Sequence, residues 1–269
     1  MKIFGINNCY NSPLFGSRKK EIKEADKLQR KTRAEFPMLS QTMADDLYLS
    51  TKYTSKKRVK AERITDKMYQ KIKLMREMAD FPSYYKINLS EEEKGIPYIL
   101  NLNMIRQLRL GNCKENAMAA MAVLTANGYF NSDRVELMYK MDFINKKTGE
   151  IEDRKLYPMD HSFVITDMQK GNKKGEQNYV VDPWLGFADG KEGAIARFKE
   201  IYKKRDYFEA ESFMRNMFRC DKRLSREEFE EQYETRTGFY FQKTEPDMTR
   251  EQKEYLGLYA KEVFQNMSV

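Results

Sequence analysis

The sequence predicts an α+β fold in which a buried central helix packs on an antiparallel sheet, and three observations support this. The run NCKENAMAAMAVLTANG from Asn112 is apolar on nearly every face between Ala117 and Leu124, so it reads as a helix with no solvent side. The segments VELMYKMDFI, IEDRKLYPM, SFVITDM and YVVDPW that follow are rich in β-branched and aromatic residues, as strands are. On both sides of this block, segments rich in Lys, Glu, Arg, Met and Leu carry apolar residues at helical spacing.

In chain order, helices are expected over 17–36 and 55–80, the second with Ile64, Met68, Ile72 and Met75 on one face. The stretch Asp80 to Pro97 contains FPSYY and two prolines, which break the pattern. It is expected to link a helical N-terminal region, 1–97, to a core of helix and sheet over 98–188. Asn112 suits the N-cap of the central helix, with Glu115 three residues on to complete a box-like cap. Cys113 then takes the first helical position, and Asn127-Gly128 suits the C-terminus. The turn at Asn145–Gly149 and the polar stretch QKGNKKGEQN read as hairpin loops between strands. The C-terminal region, 189–269, is expected to be helical, with starts at Asp189, at Ser225 followed by Glu228, and at Thr249 followed by Gln252. A short strand, GFYFQK, interrupts it. The three regions are expected to form one compact domain.

Composition narrows the function classes. A chain of 269 residues, 41% hydrophobic and 13% aromatic, can bury a sizeable core and is not a disordered polymer. The three cysteines, Cys9, Cys113 and Cys220, are odd in number and far apart, so reduced thiols are expected rather than a disulfide framework. With one histidine, they do not supply the clustered ligands of a structural zinc site, and no metal or cofactor is expected. No stretch approaches 18 consecutive apolar residues, and MKIFGINNCYNSPLFG lacks the apolar segment of a signal peptide, so a soluble protein not exported by that route is expected. The net charge of +8 gathers in clusters at Arg18–Lys20, Lys56–Arg58 and Lys203–Arg205. These read as solvated helix faces or as contacts for an anionic surface.

Cys113, His161 and Asp182 form the constellation that can carry chemistry. A thiol attacks as thiolate, and a free cysteine with a pKa near about 8.5 is mostly protonated at neutral pH. A helix N-terminus contributes only about 0.3–1 kcal/mol to an exposed negative charge, and Glu115 partly opposes it. An imidazole does more, since a thiolate–imidazolium pair stabilises both charges. His161 is the only histidine, at the start of SFVIT. Asp182, at the end of YVV, is placed to orient it from the neighbouring strand. Each has an ordinary structural alternative: a buried small hydrophobe at Cys113, a packed or surface histidine, and a strand end at Asp182-Pro183. Asp160 is a weaker fourth candidate, because successive strand side chains point to opposite faces.

The blocks GNCKENA, DHSFVIT and VVDPW resemble the three motif blocks of papain-like and transglutaminase-like cysteine enzymes, in the same Cys, His, Asp or Asn order. The resemblance runs from Gln107 to Trp184. It implies a nucleophilic cysteine at the start of a central helix and the two partners on adjacent antiparallel strands. It also implies an oxyanion-stabilising role for Gln107, six residues before Cys113, and an aromatic shield at Trp184, two after Asp182. The CGSCW-type signature of ordinary papain-like proteases is missing, and the chain looks closer to bacterial effector versions. These include proteases, glutamine deamidases and transglutaminases. The implied activity is a thiol hydrolase attacking a peptide or carboxamide bond of a protein substrate through a thioester, as a cysteine protease or deamidase. The alternatives are a transglutaminase on the same three residues or an inert binding module with a basic surface. The implied setting is the bacterial cytoplasm, or a host cell reached without a cleaved signal peptide.

Overall fold

The computed structural model describes residues 18–39, 55–84, 96–171, 175–202, 207–243 and 248–265. Cys9, the cluster Lys203–Arg205, the side chains of Arg18 and of Lys56–Arg58, and the middle of the QKGNKKGEQN loop lie outside the described residues. The architecture is mixed α+β: among the described residues, eight helices surround a five-stranded antiparallel sheet.

The N-terminal helices are α1 (Arg18–Glu35) and α2 (Ser55–Tyr84). α2 continues four residues past the expected end at 80, and most of the stretch expected to link it to the core lies outside the described residues. α3 (Ile96–Leu108) then opens with Pro97 in its first turn, where a missing N–H leaves no helical bond unmade. α4 (Cys113–Ala126) is the central helix, and every residue in it except Lys114 is buried. That is the physical content of its all-round apolar sequence.

The sheet consists of β1 (Ser132–Asn145), β2 (Ile151–Thr166), β3 (Tyr179–Asp182), β4 (Phe187–Gly190) and β5 (Tyr233–Lys243), in the order β4-β3-β2-β1-β5. Between β4 and β5 the chain forms α5 (Lys191–Tyr202), α6 (Tyr207–Lys222) and α7 (Arg226–Gln232), and α8 (Arg250–Gln265) closes the fold. Strand alternation divides the apolar side chains between two cores. Val164, Val181 and Ala188 face α4, with Leu28 of α1 and Leu256 of α8 in the same core. Phe163, Ile165 and Val180 face the other way, onto Phe198, Phe218 and Phe229 from α5, α6 and α7.

Several local readings change. The two segments IEDRKLYPM and SFVITDM are one strand, β2, whose register against β1 shifts between Glu136↔Ser162 and Met138↔Pro158. Pro158 is tolerated because β3 pairs only with Val164–Thr166, so that part of β2 has an open edge. Asp189 is not a helix cap. It lies in β4, two residues before α5, and its carboxylate accepts from Gly190 N at 2.8 Å and Arg197 Nε at 3.1 Å. The caps at Ser225 and Thr249 do form, each reciprocated by the residue three later: Ser225 N donates to Glu228 Oε2 and Thr249 N to Gln252 Oε1. GFYFQK belongs to a longer strand that pairs along β1, so the sheet takes its fifth strand from the C-terminal region, and the boundary at 188 falls inside β4. Among the described residues no helix is long and apolar enough to cross a membrane.

α8 packs on α4 with so little space that a Cβ on Gly257 would lie 2.9 Å from the Thr125 carbonyl carbon. Its other anchor is polar. Asp133 of β1 accepts from Lys253 of α8 at 2.7 Å, from Lys243 of β5 at 2.6 Å and from Gln177 at 2.7 Å. Burial alone raises the Asp133 carboxyl, but these bonds outweigh it and hold the pKa at about 2. A depressed carboxylate contributes stability above its unfolded pKa, near about 3.9, and that contribution is lost as pH falls through the folded value. In urea titrations, Asp133→Asn is therefore expected to cost roughly 2 kcal/mol at pH 6, with the gap from wild type closing between about pH 4 and pH 2. A gap that stays constant with pH contradicts this linkage.

Candidate active site

The three residues singled out in the sequence come together where the N-terminus of α4 meets the end of the β2–β3 ladder. Glu115 reaches back to the Asn112 amide at 2.8 Å, the carboxylate half of the predicted cap, and this fixes Cys113 as the first residue of α4. A first helical residue has a backbone N–H without a carbonyl of its own helix to bond. That amide is available to a ligand.

His161 and Asp182 share the sheet face that carries Phe163. β2 and β3 pair Val164 with Val181, so the next step along the ladder sets Asp182 opposite Phe163, and His161 is two residues further along that face. His161 Nε2 donates to Asp182 Oδ2 at 2.6 Å, with both side chains fully buried. The other carboxylate oxygen of Asp182 accepts from Leu185 N at 3.0 Å, and Gly186 N closes the turn on the Asp182 carbonyl at 2.9 Å. The carboxylate is thereby held in one orientation. Burial by itself pushes the His161 imidazole down, but the Asp182 carboxylate and, after it, the Cys113 thiol outweigh this and raise its pKa to about 9. The ring nitrogen turned away from Asp182, Nδ1, is buried without a hydrogen-bond partner.

A bulge brings the thiol to this ring. Asp160 adopts φ +47°, a left-handed conformation uncommon for a residue with a Cβ, at the point where β2 loses register with β1. Cys113 Sγ donates to its carbonyl oxygen at 3.7 Å. Asp160 thus contributes through its backbone rather than through the side chain weighed in the sequence. Around the imidazole stand Trp184, with ring centroids 5.1 Å apart, Phe163 and Phe198 at 5.6 Å, and Tyr202 at 6.5 Å. Trp184 is the nearest of these rings to the imidazole. Gln107 is exposed in the last turn of α3, and no hydrogen bond links it to Cys113, His161 or Asp182 among the described residues.

Two contributions went unread in the sequence. Phe198 and Tyr202 are four residues apart, and that spacing on α5 marks one helix face without saying what it meets. The second is Arg76 of α2, whose guanidinium clamps buried Glu115 through Nε at 2.7 Å and Nη2 at 2.9 Å. Glu115 stands two residues from Cys113 and by itself disfavours negative charge there. The bidentate arginine offsets it. Only the closeness of Arg76 to apolar Ile72 and Met75 hinted at a buried end.

No protein-family model, curated protein or solved structure matches the chain. The chemistry of the site therefore rests on its own geometry: a thiol at a helix start, a buried imidazole beside it, and a carboxylate orienting that imidazole.

Proposed function

We propose that this chain is a thiol acyl-transfer enzyme of the papain-like or transglutaminase-like kind, acting on a peptide or carboxamide bond of a protein as a cysteine protease or glutamine deamidase. The observation that carries the reading is His161, buried between Asp182 at 2.6 Å and the Cys113 thiol at the start of α4, with its second nitrogen unbonded. A packed structural histidine normally has both nitrogens satisfied.

The reaction follows from these groups. Cys113 Sγ, as thiolate opposite the protonated His161, attacks the carbonyl carbon, forming the S–C bond and a tetrahedral oxyanion that the Cys113 backbone N–H stabilises. The C–N bond then breaks, and the departing amine takes the proton from His161. Water adds to the thioester, returning a proton to His161, and the C–S bond breaks to release the acid and restore the thiolate–imidazolium pair. In a transglutaminase a lysine amine takes the place of water. Asp182 holds the imidazole in the tautomer this sequence needs and stabilises its charge.

Alkylation of Cys113 by iodoacetamide across pH tests the reading. In wild type Cys113 is expected to react well above the rate of a free thiol at pH 6.5, where the ring beside it still holds its proton. In His161→Ala the rate should fall about a hundredfold at pH 6.5 and rise with a free-thiol pKa near about 8.5. Identical profiles for the two proteins would leave Cys113 an inert thiol and the fold a binding module. Mass spectrometry of candidate protein substrates separates the remaining outcomes, since a cut chain, a deamidated glutamine and a cross-link are distinct products.

A further inference from the structure

A cleft of about 400 Å³ opens beside the site, with Phe36 to Leu39 on one wall and Asn116, Pro183 and Trp184 on the other. Two of its lining residues neighbour the proposed nucleophile and its histidine. Asn116 is one helical turn on from Cys113, on the same face of α4, and Trp184 is the residue whose ring lies on His161. Leu39 N donates to the Arg109 carbonyl at 2.8 Å and Gly111 N to the Leu39 carbonyl at 3.2 Å, so the first wall is tied to the turn that leads into Cys113.

Arg33 and Arg109 stand at this cleft. Arg109 is held at φ +52°, at the end of α3. Arg33 lies across the backbone of Gly186, its Nη1 only 2.6 Å from where a Cβ on that residue would stand, so a side chain there would displace the guanidinium. Gly186 has φ +79° and ends the turn that carries Trp184. Neither arginine side chain has an ion pair or hydrogen bond among the described residues, and no described acidic residue lines the cleft. Two cations with no counter-ion among the described residues, beside an apolar wall, match a ligand that combines a carboxylate with a methylene stem.

Resting on the reading of Cys113 as nucleophile, we infer that this cleft is a substrate subsite and that Arg33 and Arg109 select an acidic peptide segment, placing a glutamate or aspartate beside the bond attacked. Like-signed charge at a cleft raises the encounter rate of the opposite charge and falls off with salt.

Paired dipeptide vinyl sulfones that differ only in carrying glutamate or glutamine test this on the full chain, with labelling of Cys113 and of exposed Cys220 read separately by mass spectrometry. The glutamate probe is expected to label Cys113 about fivefold or more faster than the glutamine probe at low salt, with the preference shrinking as salt rises. The ratio should fall towards one in the double variant Arg33→Gln, Arg109→Gln and persist in Arg33→Lys, Arg109→Lys. A ratio that is the same in wild type and the glutamine variant, or insensitive to salt in wild type, overturns the inference alone. If Cys113 reacts with either probe no faster than Cys220, the nucleophile reading fails and the inference falls with it.

Discussion

Replacing Asp182 with alanine is expected to slow Cys113 alkylation at neutral pH by about tenfold to thirtyfold, the upper limit being the thiolate fraction of a free cysteine with a pKa of about 8.5. The same change leaves His161 in a fully buried position without its partner at 2.6 Å, which costs on the order of 3–5 kcal/mol of stability. Asp182→Asn separates the two effects. An amide oxygen still accepts from Nε2, so orientation survives while the negative charge is gone. Alkylation is then expected to fall by tenfold or less.

The buried pair also has a pH signature in stability. Because the folded pKa of His161 is raised, the stability it contributes is fully present below about 6.5, its unfolded value, and is lost as pH rises through about 9. Urea titrations of wild type should therefore show a decline in stability between those limits that is absent in Asp182→Asn. If Asp182→Ala leaves the alkylation profile of Cys113 unchanged, the carboxylate is structural and the proposed mechanism is wrong.

Arg76→Ala is expected to have the next largest effect. It strands the buried Glu115 carboxylate, which retains the Asn112 amide but loses both guanidinium bonds, at a cost of about 3–5 kcal/mol. It also exposes Cys113 to an uncompensated negative charge two residues away, so alkylation at pH 6.5 should slow by about tenfold. Arg76→Met combined with Glu115→Gln removes both charges and keeps most of the volume. The pair should recover most of the stability and the reactivity, as a double-mutant cycle would record. Stability that recovers while reactivity does not would assign Arg76 an electrostatic role on Cys113 beyond neutralising Glu115.

These contacts differ in how far they could be read from the chain. The position of Cys113 was legible because a helix start is a local event: Asn112, Cys113 and Glu115 lie within one turn, and the all-round apolar run after them demands burial wherever the helix packs. The strand segments around His161 and Asp182 were legible from their β-branched and aromatic content. Their joining into one bulged strand was not, because Pro158 looks like a terminator until the open edge of β2 is known. β4 has four residues, too few for alternation to register, and Asp189 within it mimics a cap.

By itself, then, the sequence determined the mixed α+β class, the buried central helix, and the order in which thiol, imidazole and carboxylate arrive along the chain. Each depends on interactions within a few residues or on the period of an apolar pattern. The tertiary structure decided what surrounds them: the Asp160 carbonyl turned onto Cys113 by a register shift, Arg76 brought from α2 onto Glu115, the aromatic wall from α5, and two arginines from separate helix ends meeting at one cleft. Those contacts join residues tens of positions apart, and only packing sets which distant faces meet.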